Sequence, residues 1–196
     1  MPETGGRPIN ELRRRDKAVD DAGWIRAFLR SGAWGALATN FEGQPFINTN
    51  LYVYDEEVNV IYMHTARVGR TRSNIEHDEQ ICFSVAEMGR VLPDRIALEF
   101  SVEYAGVTVF GRGRVIQNDG EKARALQMLL DKYAPQLRPG RDYRPANKEE
   151  LDRTSVYRIE IESWSAKIIE RPADFPGAFW YDEQRAASPF TPGRSD

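Results

Sequence analysis

The longest extended stretch of the sequence, residues 98–117, constrains the fold more than any other feature. It reads LEFSVEYAGVTVFGRGRVIQ, and its aromatic and β-branched residues are typical of strands. Gly106, Gly111 and Gly113 interrupt the pattern, and glycines within strands mark bends, bulges or the close approach of another backbone. Because a sheet that curls into a small barrel needs such bends, the stretch predicts a curved β sheet.

Hydrophobic periodicity predicts the other elements. Helices are expected over 20–32 and 120–133, the second with an apolar stripe formed by Ala123, Leu126, Leu130 and Tyr133. The segment 88–97 reads as a connection. The expected strands, the first three forming a meander, cover 34–39, 45–54, 58–63, 80–86, 98–117 and 155–169.

The pattern as a whole predicts one domain, mainly β with flanking helices, arranged as an antiparallel Greek-key barrel. No internal repeat or linker divides the chain. An arm over 1–17, rich in Gly, Pro and charge, precedes the domain at 18–170. A tail over 171–196 follows it and is expected to pack on the domain or on a dimer.

Composition and spacing argue against several classes of partner. The 27 basic and 30 acidic residues give a net charge of −3, and no basic stripe runs between aromatics, so no nucleic-acid partner is expected. No apolar run reaches membrane-spanning length and the N-terminus lacks an apolar signal core, which predicts a cytoplasmic protein without a membrane partner. Two histidines and one cysteine without ligand spacing predict no metal site.

The stretch 58–75, VNVIYMHTARVGRTRSNI, carries the candidate chemistry. Strand periodicity places Val60, Tyr62 and His64 on one face, and a turn at Gly69 and Arg70 then opens a short helix. The N-terminus of a helix presents unpaired N–H groups and a partial positive charge, which suit an anion such as phosphate. The residues alone leave two interpretations open: His64 is a catalyst or a local hydrogen-bonding group, and the arginines are phosphate ligands or surface charges.

Three segments together resemble a known family: YMHTARVGRTR over 62–72, YAGVTVFGRGRV over 104–115, and SVYRIEI followed by SWSAK over 155–167. The pattern resembles the FMN-binding split-barrel superfamily and is most similar to its nitroimidazole-resistance (Nim) branch, which is related to pyridoxamine 5′-phosphate oxidase. The resemblance covers residues 12–170. It implies an antiparallel split barrel that forms a homodimer with FMN at the interface.

The resemblance also implies three groups of residues around the FMN. The residues at the phosphate are Gly69, Arg70 and Thr71. The residues along the flavin are His64, Thr65 and Ala66, together with the backbone of Asn48, Thr49 and Asn50. The residues that close the pocket, contributed by the other subunit, are Ser101, Tyr104 and Trp164. His64, with an ordinary pKa near about 6.5, is the implied catalytic residue because it can donate a proton or a hydrogen bond at neutral pH.

The implied function is an FMN-dependent oxidoreductase that takes electrons from NAD(P)H and reduces nitroaromatic or other electron-poor small molecules. Two alternatives remain: a flavin or haem binding protein that acts as carrier or sensor, and a deazaflavin-dependent reductase. The Arg-x-Trp signature of pyridoxamine phosphate oxidases is replaced here by Phe179-Trp180-Tyr181 with Arg185 after it, so vitamin oxidation is not expected.

Overall fold

The structure is a computed structural model and describes residues 8–181, which contain four α-helices and eight β-strands. The helices are α1 (Ala22–Ser31), α2 (Arg70–His77), α3 (Asp119–Tyr133) and α4 (Lys148–Asp152). The strands are β1 (Gly35–Phe41), β2 (Gln44–Asn50), β3 (Tyr52–Asp55), β4 (Val60–Ala66), β5 (Gln80–Leu92), β6 (Ser101–Val115), β7 (Thr154–Ile169) and β8 (Phe179–Trp180).

The sheet is antiparallel and its order explains why the barrel is split. The order is β2-β1-β5-β6-β7-β4-β3, with β8 paired to β5. The strands β2 and β3 lie at opposite ends of this order, yet only Leu51 separates them along the chain. The two ends of the sheet therefore meet at Leu51 without a ladder of hydrogen bonds between them. The predicted fold class, a mainly β antiparallel split barrel with flanking helices, is confirmed.

The sequence prediction of one strand over 45–54 within a meander is wrong. The Leu51 N–H donates to the side-chain oxygen of Asn50 at 2.8 Å, so it is withdrawn from strand pairing at this point. The chain pairs with β1 before Leu51 and with β4 after it. Pro45, which cannot donate a ladder hydrogen bond, is accommodated because β2 is an edge strand.

The connection predicted over 88–97 is also shorter than expected, because β5 continues to Leu92. The register between β5 and β6 shifts between Met88 and Val91, which marks a bulge that lets pairing resume after Gly89. Gly89, which falls in the predicted connection, lies instead within β5 at this bulge.

The core has two parts, and β4 separates them. Ile61 and Met63 face the barrel interior, where the ring of Tyr52 packs edge-on against that of Phe83 with centroids 5.0 Å apart. Side chains from α1 complete this interior cluster. Apolar residues of one face of β4 pack outside the barrel against α3, so the predicted alternation along this strand is confirmed; this outer cluster contains Val53, Val60, Tyr62, Ile116, Ala125, Leu129 and Val156.

The predicted stripe on α3 is wrong in part. The residues of α3 that are fully buried are Ala125 and Leu129, one helical turn apart, whereas Leu130 is 44% exposed. The stripe is rotated because α3 covers the outer face of β3, β4 and β7 and also places Tyr133 against the backbone of Tyr52.

The segments that flank the barrel contact it within the described range. The Val19 N–H donates to the carbonyl of Ala166 at 3.0 Å, so the N-terminal segment follows β7. The strand β8 pairs with the outer part of β5 at Arg90. The predicted boundaries of arm and tail remain predictions, and residues 1–7 and 182–196, which include Arg185, lie outside the described residues.

Candidate functional site

Three groups of predicted site residues meet where the two ends of the sheet come together. We call this region the seam site; it comprises Asn48–Asn50, His64–Ala66 and Gly69–Thr71. The side-chain amide of Asn48 donates to Thr71 Oγ1 at 3.0 Å, and that of Asn50 donates to the carbonyl of His64 at 2.7 Å. Because Asn48 and Asn50 lie on the same face of β2, one strand fixes both the start of α2 and the end of β4.

The start of α2 is a basic, uncapped helix N-terminus. Gly69 precedes the helix, and among residues 8–181 no side chain caps its first N–H groups. Thr71 is buried, whereas Arg67, Gly69 and Arg70 are exposed. Because Gly69 carries no side chain that could accept these hydrogen bonds, the N–H groups of the first turn remain available to an anion.

The arginines near this helix start differ in what they bind. Arg72 donates to Glu76 at 2.8 Å and to Ser155 Oγ at 3.2 Å, so its charge is already engaged. Within the part of the chain that the structure describes, neither Arg67 nor Arg70 forms an ion pair, and both side chains are exposed. The arginines near the start of α2 that form no ion pair with a described residue are therefore Arg67 and Arg70. Sequence reasoning did not select Arg67, because a turn arginine has no periodic signal.

His64 lies two residues before the end of β4, and its imidazole is half-buried. Its Nδ1 is buried and has no hydrogen-bond partner among residues 8–181. Burial lowers the pKa of His64 from its ordinary value, so the neutral form prevails at pH 7. A proton on the buried Nδ1 would be an unpaired donor, so we assign the proton of the neutral ring to Nε2. His64 is then a hydrogen-bond donor and not a cationic acid at neutral pH.

Thr65 is held by a residue that the sequence analysis did not select. Its Oγ1 lies 2.7 Å from the hydroxyl of Tyr157, and Tyr157 is completely buried. Burial raises the pKa of Tyr157, so its hydroxyl stays protonated. Alternation along β7 predicts a buried Tyr157, but which residue its hydroxyl contacts depends on the register of β4 and β7. Ala66 and Thr49 are exposed beside these groups.

The three residues predicted to close the pocket lie elsewhere in the same chain. His64 pairs with Val156 near the start of β7, whereas Tyr104 pairs with Ile169 at its end. The separation along the strand is roughly 40 Å at about 3.3 Å per residue. Ser101 and Trp164 likewise lie away from the seam site, on β6 and β7. Within one chain, the residues predicted to lie at the phosphate and along the flavin are close together, whereas the residues predicted to close the pocket lie away from them.

Two of the residues predicted to close the pocket, Ser101 and Trp164, line different cavities among the described residues. A cavity of about 500 Å³ between the N-terminal segment and β7 is lined by Trp164. Another of about 590 Å³ is lined by Ser101. A third of about 340 Å³ adjoins the C-terminal end of α2 at His77.

Across the described range no group of three or more His, Cys, Asp or Glu side chains could hold a metal ion, and among the helices seen there none is long and apolar enough to span a membrane.

The sheet order and the link at Leu51 define the class of protein as a split β barrel flanked by helices. The family model described as pyridoxamine 5′-phosphate oxidase matches residues 21–168, and the chain belongs to that family. The family that the sequence resembles is thus confirmed. None of the curated proteins matches the chain.

Solved structures with the same fold include proteins of several descriptions. The flavocytochrome Anf3 from Azotobacter vinelandii has a TM-score of 0.70 at 22% identity, covering 94% of this chain and 88% of that chain. The FAD and heme binding protein from Mycobacterium smegmatis also has a TM-score of 0.70 at 22% identity, covering 79% and 74%. A protein assigned to 5-nitroimidazole antibiotic resistance in Bacteroides thetaiotaomicron has a TM-score of 0.64 at 14% identity, covering 77% and 86%. At these identities the likeness shows the fold alone.

Proposed function

We propose that this protein binds a flavin at the seam site and uses it as an oxidoreductase. The observation that carries the proposal is the start of α2, where Arg70 is exposed and forms no ion pair with any described residue, beside a helix N-terminus that no described side chain caps. The proposed cofactor is FMN, whose terminal phosphate suits this position. The proposed reaction is reduction of nitroaromatic or other electron-poor small molecules, with NAD(P)H as the electron donor.

The residues at the helix start fit a phosphate group. A guanidinium can donate two parallel hydrogen bonds to phosphate oxygens, and the helix N-terminus adds a favourable field of roughly 0.3 to 1 kcal/mol. Thr71 Oγ1 already accepts from Asn48, so its own hydroxyl proton is left to donate. Arg70, Thr71 and the N–H groups of the first turn would hold the phosphate.

The flavin, when bound, would supply the electron transfer to and from small molecules. The protein would hold and orient it. His64 would contribute a neutral Nε2–H donor at the end of β4, because burial disfavours the imidazolium form. Asn50 fixes the backbone at His64, and Tyr157 fixes Thr65, so the polar groups beside the proposed ring position are held in place before binding.

Two of the similar structures support flavin binding by their descriptions, flavocytochrome and FAD and heme binding protein, and the third, described by nitroimidazole resistance, supports a nitroaromatic substrate. Two of them also favour a second candidate, a flavin or haem binding protein that acts as carrier or sensor. A deazaflavin-dependent reductase is the remaining alternative. The visible spectrum separates these candidates, since haem gives a Soret band and a bound flavin is released and identified by mass after denaturation.

We further propose a homodimer with the flavin at the interface. Support comes from the separation of Tyr104 and Trp164 from His64 within one chain, since a Tyr104 or Trp164 that closes a seam site would have to come from a second copy. Mixing an Arg70→Ala protein with a Trp164→Ala protein tests this. Heterodimers would contain one intact site, so the mixture should recover, at that site, the wild-type FMN affinity that neither variant shows alone. Recovery would be absent if each site lay within one chain.

The primary experiment is titration of the flavin-free protein with FMN and with riboflavin, which lacks the phosphate, followed by fluorescence quenching. Wild type should bind FMN more tightly, and Arg70→Ala should lose roughly 10- to 100-fold in FMN affinity while riboflavin affinity stays the same. Arg70→Lys should be intermediate, because an ammonium cannot bind phosphate in the forked geometry. Arg30→Ala, which removes an exposed arginine paired with Glu56, is the matched control.

Equal affinity of wild type for FMN and riboflavin would remove the phosphate site from the proposal.

The oxidoreductase function is tested separately under anaerobic conditions. NADH or NADPH should reduce the bound flavin, and a nitroimidazole should reoxidise it. Bound flavin that neither nicotinamide reduces would instead favour the carrier or sensor function.

A further inference from the structure

One face of α2 packs against the end of β1 through three contacts. Arg70, Asn74 and His77 follow one another at helical spacing and therefore lie on the same face of α2. Thr39 and Phe41 lie two residues apart on β1 and share a face of that strand. The contact between these two faces fixes α2 relative to the sheet.

The distances show what each contact does. The buried amide of Asn74 donates to Thr39 Oγ1 at 2.9 Å. The imidazole of His77 lies against the ring of Phe41 with centroids 4.6 Å apart, and the guanidinium carbon of Arg70 lies 5.6 Å from the centre of the same ring. The Phe41 ring is thus in contact with residues from both ends of α2.

Phe41 itself is held in place by its position in the chain. It is the last residue of β1 and pairs with Gln44 across a tight turn. In this turn the Gly43 N–H donates to the side chain of Asn40 at 2.8 Å, and Glu42 and Gly43 both have positive φ. Phe41 was assigned no function from the sequence.

We propose that Phe41 is a positioning residue for the phosphate of the flavin, acting through Arg70. This inference rests on the proposed function. Arg70 has no ion pair in the described part of the chain, so the ring is the neighbour that restricts its long side chain. A cation over an aromatic face keeps its N–H groups at the edge of the guanidinium free, and these groups can still bind phosphate. Restricting the side chain before binding lowers the entropy cost of forming the phosphate contact.

The test compares FMN and riboflavin binding by Phe41→Leu and Phe41→Tyr proteins. Phe41→Leu keeps an apolar side chain but removes the aromatic face, and it should weaken FMN binding about two- to fivefold with riboflavin affinity unchanged. Phe41→Tyr retains the aromatic face and should bind FMN as wild type does. Trp24→Leu, which disrupts the stacked pair of Trp24 and Phe28 on α1, is the matched control and should change neither affinity.

A double-mutant cycle separates a positioning role from a general structural role. In the Arg70→Ala background, Phe41→Leu should have no further effect on FMN affinity, because the group it positions is absent. The inference would be overturned if Phe41→Leu weakened FMN and riboflavin equally, or if its effect persisted without Arg70. It would also be overturned if wild type preferred FMN, Arg70→Ala abolished that preference and Phe41→Leu retained it in full. A wild type that does not prefer FMN instead contradicts the proposed phosphate site.

Discussion

Arg90 and Glu103 form an ion pair across β5 and β6, with 2.7 Å between Arg90 Nη2 and Glu103 Oε1. Both side chains are largely buried, at 15% and 12% exposure. Arg90 also donates to the carbonyls of Arg171, Pro172 and Ala173, and Glu103 accepts from the Arg171 N–H. A single charged pair at the β5 bulge therefore holds the chain that leads to β8.

We predict that Glu103→Gln destabilises the protein at neutral pH and loosens the segment after β7. The Arg90 guanidinium lowers the pKa of Glu103 to about 2, so the carboxylate stabilises the fold above its ordinary pKa. This contribution is lost as pH falls from about 4.5 towards 2. The melting temperature of the variant at pH 7 should be lower than that of wild type. It should also decrease less than that of wild type as the pH falls from about 4.5 towards 2. Glu56→Gln, at the exposed pair with Arg30, is the control and should change the melting temperature less.

We predict that Gly111→Ala is strongly destabilising and that Gly106→Ala is tolerated. Gly111 follows a register shift between β6 and β7, where a Cβ would overlap the carbonyl oxygen of Glu160. At Gly106 the nearest atom to a Cβ would be 3.5 Å away, an ordinary contact. Denaturant unfolding should show a loss of more than about 2 kcal/mol for the first variant and under about 1 kcal/mol for the second. Equal losses would contradict a close backbone approach specific to Gly111.

We predict that His64→Ala retains the flavin but lowers kcat by roughly tenfold, the value of one hydrogen bond. His64→Gln should recover part of this loss because its amide can replace the Nε2–H donor. Since burial lowers the pKa of His64, any change in wild-type kcat that comes from protonation of His64 should appear only below about pH 6.5. The Gln variant should lack that change. Loss of flavin without a separate effect on kcat would contradict this role.

We predict that Asn74 and Thr39 stabilise the contact of α2 with β1 as a pair. Asn74 is fully buried, and its Nδ2 donates to Thr39 Oγ1 at 2.9 Å. Asn74→Ala leaves a buried hydroxyl without its donor and should cost about 1 to 3 kcal/mol of unfolding free energy. In the Thr39→Val background the same change should cost less, because no hydroxyl remains unpaired. Equal costs in both backgrounds would contradict the pairing.

Much of the barrel could be predicted from local sequence patterns. Alternation along β4 separates Ile61 and Met63 from Val60 and Tyr62, and the structure confirms it. The break at Leu51 could not be predicted in this way. It depends on which strand each half of the segment pairs with, and that choice is made by residues far away in the chain. The rotated stripe on α3 has the same origin, since packing on the sheet selects which face is buried.

The sequence by itself determined the elements that carry the site: an extended strand ending at His64, a glycine before a helix, and arginines at that helix start. These follow from local rules of strand alternation and helix termination, which involve residues near one another in the chain. Only the tertiary structure decided that Arg72 is paired with Glu76 while Arg70 has no ion pair in the described part of the chain, and that Phe41 lies against Arg70. The physical reason is that ion pairing and ring packing depend on the register of strands and on helix placement, which bring together residues distant in sequence.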